Sequence, residues 1–316
     1  MKFENPEIDA LQLLAVLHER YPDVLCGDVS AQFCPVGEDA WCYTVSSDTS
    51  PGCFVRVETE AGSGSTLQRL EAAGAITEQL HASCGMRDVV APMRDCNGSL
   101  ASVLPPRFVL QVFPHVSGQQ AMTMDGTVRD DDRLAAIRFV ARLHWHGHQL
   151  LQSSSVVADS LANEQFEHGH ATAVQRAMAY AMSATSEPRT RWQAATCDAL
   201  LADQAGVEWL LRALQQMEEE LRSQPEWYDV VLTHSECHLA NFVRSDIDDQ
   251  LHCVDWGDLA LGPRERDLAL LCCDGSAAAL LSAYIGETPS LSSQHENPSS
   301  SKSLHMTASF VCCQMS

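Results

Sequence analysis

The sequence predicts an α+β chain of two lobes, a small β-rich N-terminal lobe followed by a larger helical one. Three observations carry this. Between Val29 and Val57, short runs rich in β-branched and aromatic residues alternate with turn clusters, the pattern of strands joined by hairpins. From Asp130 onward, apolar residues recur every three or four positions over long windows, the period of helices. A chain of 316 residues is also long enough to bury a core in each of two lobes.

In order, Ile8 to Arg20 places apolar residues at 8, 11, 13, 14, 16 and 17, a helical period that Tyr21-Pro22-Asp23 ends. Val29 to Val36, Ala40 to Val45 and Cys53 to Val57 read as strands, joined by Gly37-Glu38-Asp39 and by the turn-rich run Ser46 to Gly52. Thr66 to Ala82 predicts a helix with Leu67, Leu70, Ile76 and Leu80 along one face. A strand starts near Ala101, and the apolar run Phe108 to Phe113 leaves through Ser117-Gly118. Helices are expected over Asp130 to Gln149, Leu161 to Met182, Arg191 to Gln204 and Glu208 to Arg222, with His144 as a buried, hydrogen-bonded histidine of the first. An apolar run from Val231 then leads into a polar cluster, His234 to Asn241. The strand Asn241 to Arg244, the acidic turn Asp246 to Asp249 and the strand Leu251 to Val254 make a β-hairpin with a carboxylate loop before and after it. Leu268 to Ala283 is the last expected helix. The Ser-rich run beyond Pro289 has the composition of a disordered tail.

The formal net charge of −22 makes nucleic acid and anionic membranes poor partners and suits a cationic small molecule. No stretch reaches the roughly 18 apolar residues of a membrane span. The N-terminus carries acids where a signal peptide needs basic residues, so a cytoplasmic location is expected. Thirteen cysteines are scattered without a C-x-x-C framework, the usage of reduced thiols, and His234, Cys237, His238 and Cys253 are not read as a zinc site. No signal of oligomeric state is present.

Glu236, Asn241 and Asp255 bring an acid, an amide and a second acid to the ends of one hairpin, hard oxygen donors that suit a Mg²⁺ ion also holding phosphates. The segment reads His234-Ser235-Glu236, four residues, Asn241, then Asp255-Trp256-Gly257. It resembles the kinase pattern H-x-D-x-x-x-x-N followed by an Asp-aromatic-Gly metal site. In this form it resembles the catalytic segment of the aminoglycoside phosphotransferase family, distant relatives of the protein kinases. Within that family it is similar to the spectinomycin phosphotransferases, which carry a His-Ser-Asp loop and a Pro-x-Glu-Arg-Asp-Leu run; here Pro263-Arg264-Glu265-Arg266-Asp267-Leu268 matches that run. Two positions depart from the family. Glu236 stands where the family has Asp, and Phe54-Val55-Arg56-Val57 stands where it usually reads F-V-K-V.

The resemblance covers about Ile8 to Tyr284 and implies a protein-kinase-like two-lobe fold: residues 1–117 as the nucleotide-binding lobe, 118–288 as the helical catalytic and substrate lobe, and 289–316 as a tail. It implies ATP and Mg²⁺ as cofactors, with a small-molecule hydroxyl as acceptor. Glu236, His234 and Asn241 become the catalytic candidates, and Asn241 and Asp255 the metal ligands. Arg56 would meet the nucleotide phosphates, held by Glu71, with Glu78 as runner-up. The backbone at Phe113, His115 and Val116 would hold the adenine edge, and Gly37 would sit in the hairpin over the phosphates. The acceptor expected is an aminoglycoside or spectinomycin-like molecule, an activity of antibiotic resistance. The alternatives are a catalytically weak, pseudokinase-type binding protein and a kinase of a metabolite such as choline, fructosamine, homoserine or hydroxylysine.

Overall fold

A computed structural model of the chain describes residues 8–22, 25, 27–36, 40–47, 52–60, 64–123, 126–153, 161–166, 169–183, 190–272 and 277–287. Gly37 and the Ser-rich tail lie outside the described residues.

Helix α1 (Ala10–Arg20) starts at Asp9, whose carboxylate accepts the Leu11 N–H at 2.9 Å and so satisfies one of the free donors of the first turn. It ends at Tyr21, whose N–H returns to Leu17 O. Strands β1 (Val29–Cys34), β2 (Trp41–Ser47) and β3 (Cys53–Thr59) follow, then α2 (Ser65–Ala82), β4 (Ser102–Leu104) and β5 (Phe108–Pro114). The five strands form one antiparallel sheet in the order β1-β2-β3-β5-β4. One face buries Tyr43, Val45, Val55, Val57, Leu110 and Val112 against Leu13 and Leu17 of α1 and Tyr21 just after it. The opposite face meets α2, where Leu70 packs on Ala101 and Val109. Successive side chains of a strand alternate faces. Arg56 and Glu58, paired across the ladder with Gln111 and Val109, therefore point to the face covered by α2.

The chain continues through β6 (Gly118–Gln120), α3 (Asp130–Ser153), β7 (Ala162–Asn163), α4 (Gly169–Met182), α5 (Arg191–Ala202), α6 (Gln204–Ser223), β8 (Val230–Thr233), β9 (Phe242–Ser245), β10 (Leu251–Cys253), β11 (Ala260–Pro263), α7 (Glu265–Leu271) and α8 (Ala277–Glu287). Two small sheets result, β10-β9-β6 and β7-β11-β8. Strand β6 can reach β9 because residue 118 is glycine: a Cβ there would land on the backbone carbonyl of Arg244. The axis of the core is α3. Its Ile137, Phe139, Val140, Ala141 and Leu143 are buried with Phe242, Cys253, Trp256, Leu268, Leu280 and Tyr284.

Two expected helices need correcting. Leu161 to Met182 is not one helix: Ala162 and Asn163 form a strand paired in parallel with Ala260 and Leu261, and the helix begins at Gly169. That pairing spans nearly a hundred residues of chain and leaves no local periodicity to read. The helix expected from Leu268 starts earlier, at Glu265, where Glu265 and Asp267 supply the first-turn acids a helix dipole favours. It ends at Leu271, and α8 is a separate helix.

The chain divides into two compact units, Met1–Asn163 with Val230–Ser316, and Glu164–Asp229. The first contains all three sheets. The second is α4, α5 and α6. In it Phe166, Met178, Ala181 and Cys197 are buried, while α6 buries no residue.

Candidate active site

The polar loop after β8 is built around Asp267, which is fully buried. One carboxylate oxygen accepts the Ser235 N–H at 2.9 Å. The other accepts the His234 N–H at 2.9 Å and faces His144 Nε2 at 3.1 Å. His144 is itself buried, and its Nδ1 lies 2.8 Å from the Tyr284 hydroxyl. A buried carboxylate is tolerated when charge-assisted hydrogen bonds replace its water, as these three donors do. Ser235 needs such fixing. Its φ of 72° lies in the left-handed region, a conformation that costs a non-glycine residue about 1–3 kcal/mol and is kept only where surroundings over-determine it. Of residues 231–242, Glu236 alone is exposed, so the loop buries its frame and presents one carboxylate outward.

Asn241 closes the loop. Its side-chain N–H donates to Glu236 O at 2.9 Å, leaving the amide oxygen for another partner. Across the β9–β10 hairpin, the Val254 N–H donates to Asn241 O at 2.9 Å, so Asp255 emerges beside Asn241. His234 Nε2 donates to Val254 O at 2.9 Å, and its ring lies 4.6 Å from that of Trp256. Asp255 has a φ of 65°, a second left-handed non-glycine residue.

Arg56 reaches this turn from β3. Its Nη1 is 2.5 Å from Asp255 Oδ1 and its Nη2 is 3.4 Å from Glu58 Oε1. A Cβ at residue 257 would strike the Arg56 guanidinium, so Gly257 is what lets the cation lie against the turn. Burial alone would lower the Arg56 pKa; Asp255, Glu58 and Asp258 outweigh it and hold the group charged. Nη1 has no aligned hydrogen-bond acceptor, despite its contact with Asp255. From α2, Arg69 donates to both Glu58 Oε2 and Gly257 O.

Residues 54–290 match the model of the phosphotransferase enzyme family, described as APH. The chain belongs to that family. A spectinomycin phosphotransferase solved with ADP and spectinomycin superposes with a TM-score of 0.67 at 18% identity, covering 89% of this chain and 80% of that one. The same enzyme's AMP complex gives 0.65 at 17% identity, over 90% and 82%. An amicoumacin kinase in complex with AMP-PNP, Ca²⁺ and Ami gives 0.58 at 13% identity, over 89% and 78%. No curated protein sequence matches this chain. The fold is thus the kinase-like α+β fold of these enzymes, an antiparallel N-terminal sheet followed by a helical lobe.

Within this phosphotransferase-family chain, Glu236, Asn241, Asp255 and Arg56 are linked by a few bonds around one turn. Two expected roles are corrected. Glu71 does not meet Arg56; its carboxylate accepts the Leu100 and Ala101 N–H groups at 3.1 Å. Helix geometry explains why: Arg69 occupies the face toward β3, and residue 71 sits about 200° further round. Glu78 pairs instead with Arg94. His234 is fully buried, and its side chain braces the loop through Val254 O. Phe113 lies across the ladder from Phe54, and the His115 N–H is taken by Gly52 O at 3.2 Å. Val116 makes no backbone hydrogen bond among the described residues. Asp267, Glu58 and Arg69 are absent from the expected site. Asp267 stands inside the matched Pro-x-Glu-Arg-Asp-Leu run, and Glu58 is legible as the same-face neighbour of Arg56. Arg69 gives no signal in the sequence.

The donors present fit the metal this family implies. The Asp255 carboxylate is 38% exposed and, with the amide oxygen of Asn241, is a hard donor of the kind Mg²⁺ takes. The Arg56 guanidinium, held charged beside Asp255, is a cation that fits a phosphate oxygen. Cys237 and Cys253 do not enter such a set, because complete burial pushes both thiols well above their ordinary range.

Proposed function

We propose that this chain is an ATP-dependent phosphotransferase that moves the γ-phosphoryl group to a hydroxyl of a small cationic molecule of aminoglycoside or spectinomycin type. The observation that supports this is that the Glu236–Asn241 loop is hydrogen-bonded to the strand leading into Asp255, which Arg56 meets from β3. Residues 1–117 hold the nucleotide in this reading, with Val116 offering unpaired backbone groups to the adenine edge and Arg56 meeting the phosphates. Residues 118–288 supply the chemistry. Asn241 and Asp255 hold Mg²⁺, which when bound offsets phosphate charge in a loose transition state. Glu236, exposed at the loop tip, accepts the acceptor's hydroxyl proton as the new P–O bond forms and the bond to ADP breaks. Asp267 and His234 hold the loop to which Glu236 belongs. No helix among the described residues is long and apolar enough to cross a membrane, and dependence on ATP points to the cytoplasm.

A second reading has one observation behind it. Arg56 already neutralises Asp255, which fits a catalytically weak, pseudokinase-type binding protein without turnover. The deciding experiment is an Mg²⁺-dependent ATP-consumption screen over aminocyclitols, aminoglycosides and amino alcohols, run on wild type, Glu236→Asp and Glu236→Ala. Glu carries its carboxylate roughly 1 Å beyond the reach of Asp, and a misplacement of that size costs on the order of 100-fold in rate. Glu236→Asp should therefore be faster than wild type and Glu236→Ala slower. Equal background rates in all three, with ATP still bound, would leave the binding protein standing.

A further inference from the structure

We propose that Arg69, with Glu58, is a positioning residue that keeps Arg56 on the phosphate-binding turn, a role resting on the phosphotransferase reading above. The polar groups form a closed ring of alternating charge: the Asp255 carboxylate, the Arg56 guanidinium, the Glu58 carboxylate, the Arg69 guanidinium and the Gly257 carbonyl. The chain from Asp255 to Gly257 completes it. The ring ties three elements, β3, α2 and the turn after β10.

Glu58 is the pivot. It lies two residues from Arg56 on the same face of β3, its side chain is only 10% exposed, and it has a cation on each oxygen. Arg69 therefore does two things. It takes up the negative charge of Glu58 that Arg56 would otherwise have to answer alone, and it holds the carbonyl of Gly257, the residue against which the Arg56 guanidinium lies. Without Arg69, Glu58 draws Arg56 away from Asp255, and the cation leaves the place where a phosphate would find it. Arginine suits the task because its planar fork serves two acceptors at once.

This arrangement makes a prediction that a simple strap between β3 and α2 does not. If Glu58 pulls Arg56 out of place once Arg69 is gone, removing Glu58 as well should return Arg56 to the turn. The probes are MgADP and adenosine, titrated calorimetrically into full-length protein. Arg69 is 41% exposed and glutamine is a good helix former, so Arg69→Gln should fold, which a thermal melt checks. We expect Arg69→Gln to weaken MgADP about 10-fold while leaving adenosine, which lacks phosphates, within about 2-fold. The double variant Arg69→Gln/Glu58→Gln should bind MgADP within about 3-fold of wild type, a recovery of the kind a double-mutant cycle measures. If the glutamine variant does not fold, Arg69→Lys takes its place; it keeps the charge but reaches one acceptor, and its MgADP affinity should fall by about 3-fold. Wild-type MgADP affinity in the single variant, an equal loss for adenosine, or a double variant no better than the single would each overturn the proposal. Wild-type protein that binds adenosine and MgADP not at all would overturn the phosphotransferase reading and this proposal with it.

Discussion

Asp267 shows how much one buried side chain decides here. Three donors from two separate segments meet its two oxygens, and two of them are the backbone of the loop that presents Glu236. An amide in its place keeps one acceptor oxygen and turns N–H groups toward a donor. Asp267→Asn should therefore cost about 3–5 kcal/mol, the range for breaking a buried charged network from one side. A drop of roughly 10 °C in Tm should be visible by calorimetry; an unchanged Tm would mean the loop is held by something else. Tyr21 gives a pH prediction. Burial pushes its phenol from 10.0 up to about 12, with the nearby Ser102 hydroxyl offsetting only part of this. In the unfolded chain the same phenol ionises near pH 10, so between pH 10 and 12 the unfolded state binds fewer protons and stability falls as pH rises. The loss is up to about 2.7 kcal/mol, because each tenfold difference in proton affinity between the two states is worth about 1.36 kcal/mol. Tyr43 and Cys42, also raised to about 12 by burial, act in the same sense, so Tyr21→Phe should flatten the slope in chemical-denaturation titrations without abolishing it. Of the site's residues, those proposed to carry chemistry stand out in the sequence because their types and spacing are constrained. Arg69 is not, because its partners lie on β3 and 188 residues away at Gly257, and nothing local marks them.

At the scale of elements, periodicity predicts correctly wherever an element answers to its own neighbours. The three strands of the first hairpins, α1, α2 and the β9–β10 hairpin all lie within a few residues of their expected bounds. It fails where a distant partner decides. Ala162 and Asn163 are a strand only because Ala260 and Leu261 run beside them. The register of α2 likewise places Glu71 toward β4 and Arg69 toward β3, a choice the hydrophobic pattern leaves open within a turn. Strand β6 offers a test of how strictly such contacts are set. Gly118→Ala puts a methyl group on the Arg244 carbonyl, and overpacking of this sort costs about 1–3 kcal/mol. Hydrogen exchange should show the β6–β9 amides losing protection before those of the five-stranded sheet; equal protection in variant and wild type would show that β6 can shift to admit the methyl.

For the whole molecule, stability is unevenly distributed between the two compact units. Met1–Asn163 with Val230–Ser316 contains the clusters around α1 and α3, whereas Glu164–Asp229 leaves Trp192 78% and Trp209 65% exposed and buries nothing from α6. Segments with few buried apolar contacts open at lower free energy than the global transition. Amides of α4–α6 should therefore exchange through subglobal opening, well before α3 and β5. Protection as strong in α6 as in α3 would contradict this.

Trp256 has an optical consequence. Of the six tryptophans it alone is buried, at 3% exposure, with its indole N–H on Cys253 O at 3.2 Å and the His234 and Phe139 rings at 4.6 and 6.0 Å. Its emission should be blue-shifted and screened from acrylamide, while the exposed indoles are quenched. With those silenced, the remaining fluorescence comes from Trp256, next to Asp255, together with the half-buried Trp41 and Trp145. The protein carries, at the turn where nucleotide and metal would arrive, its own lamp for watching them do so.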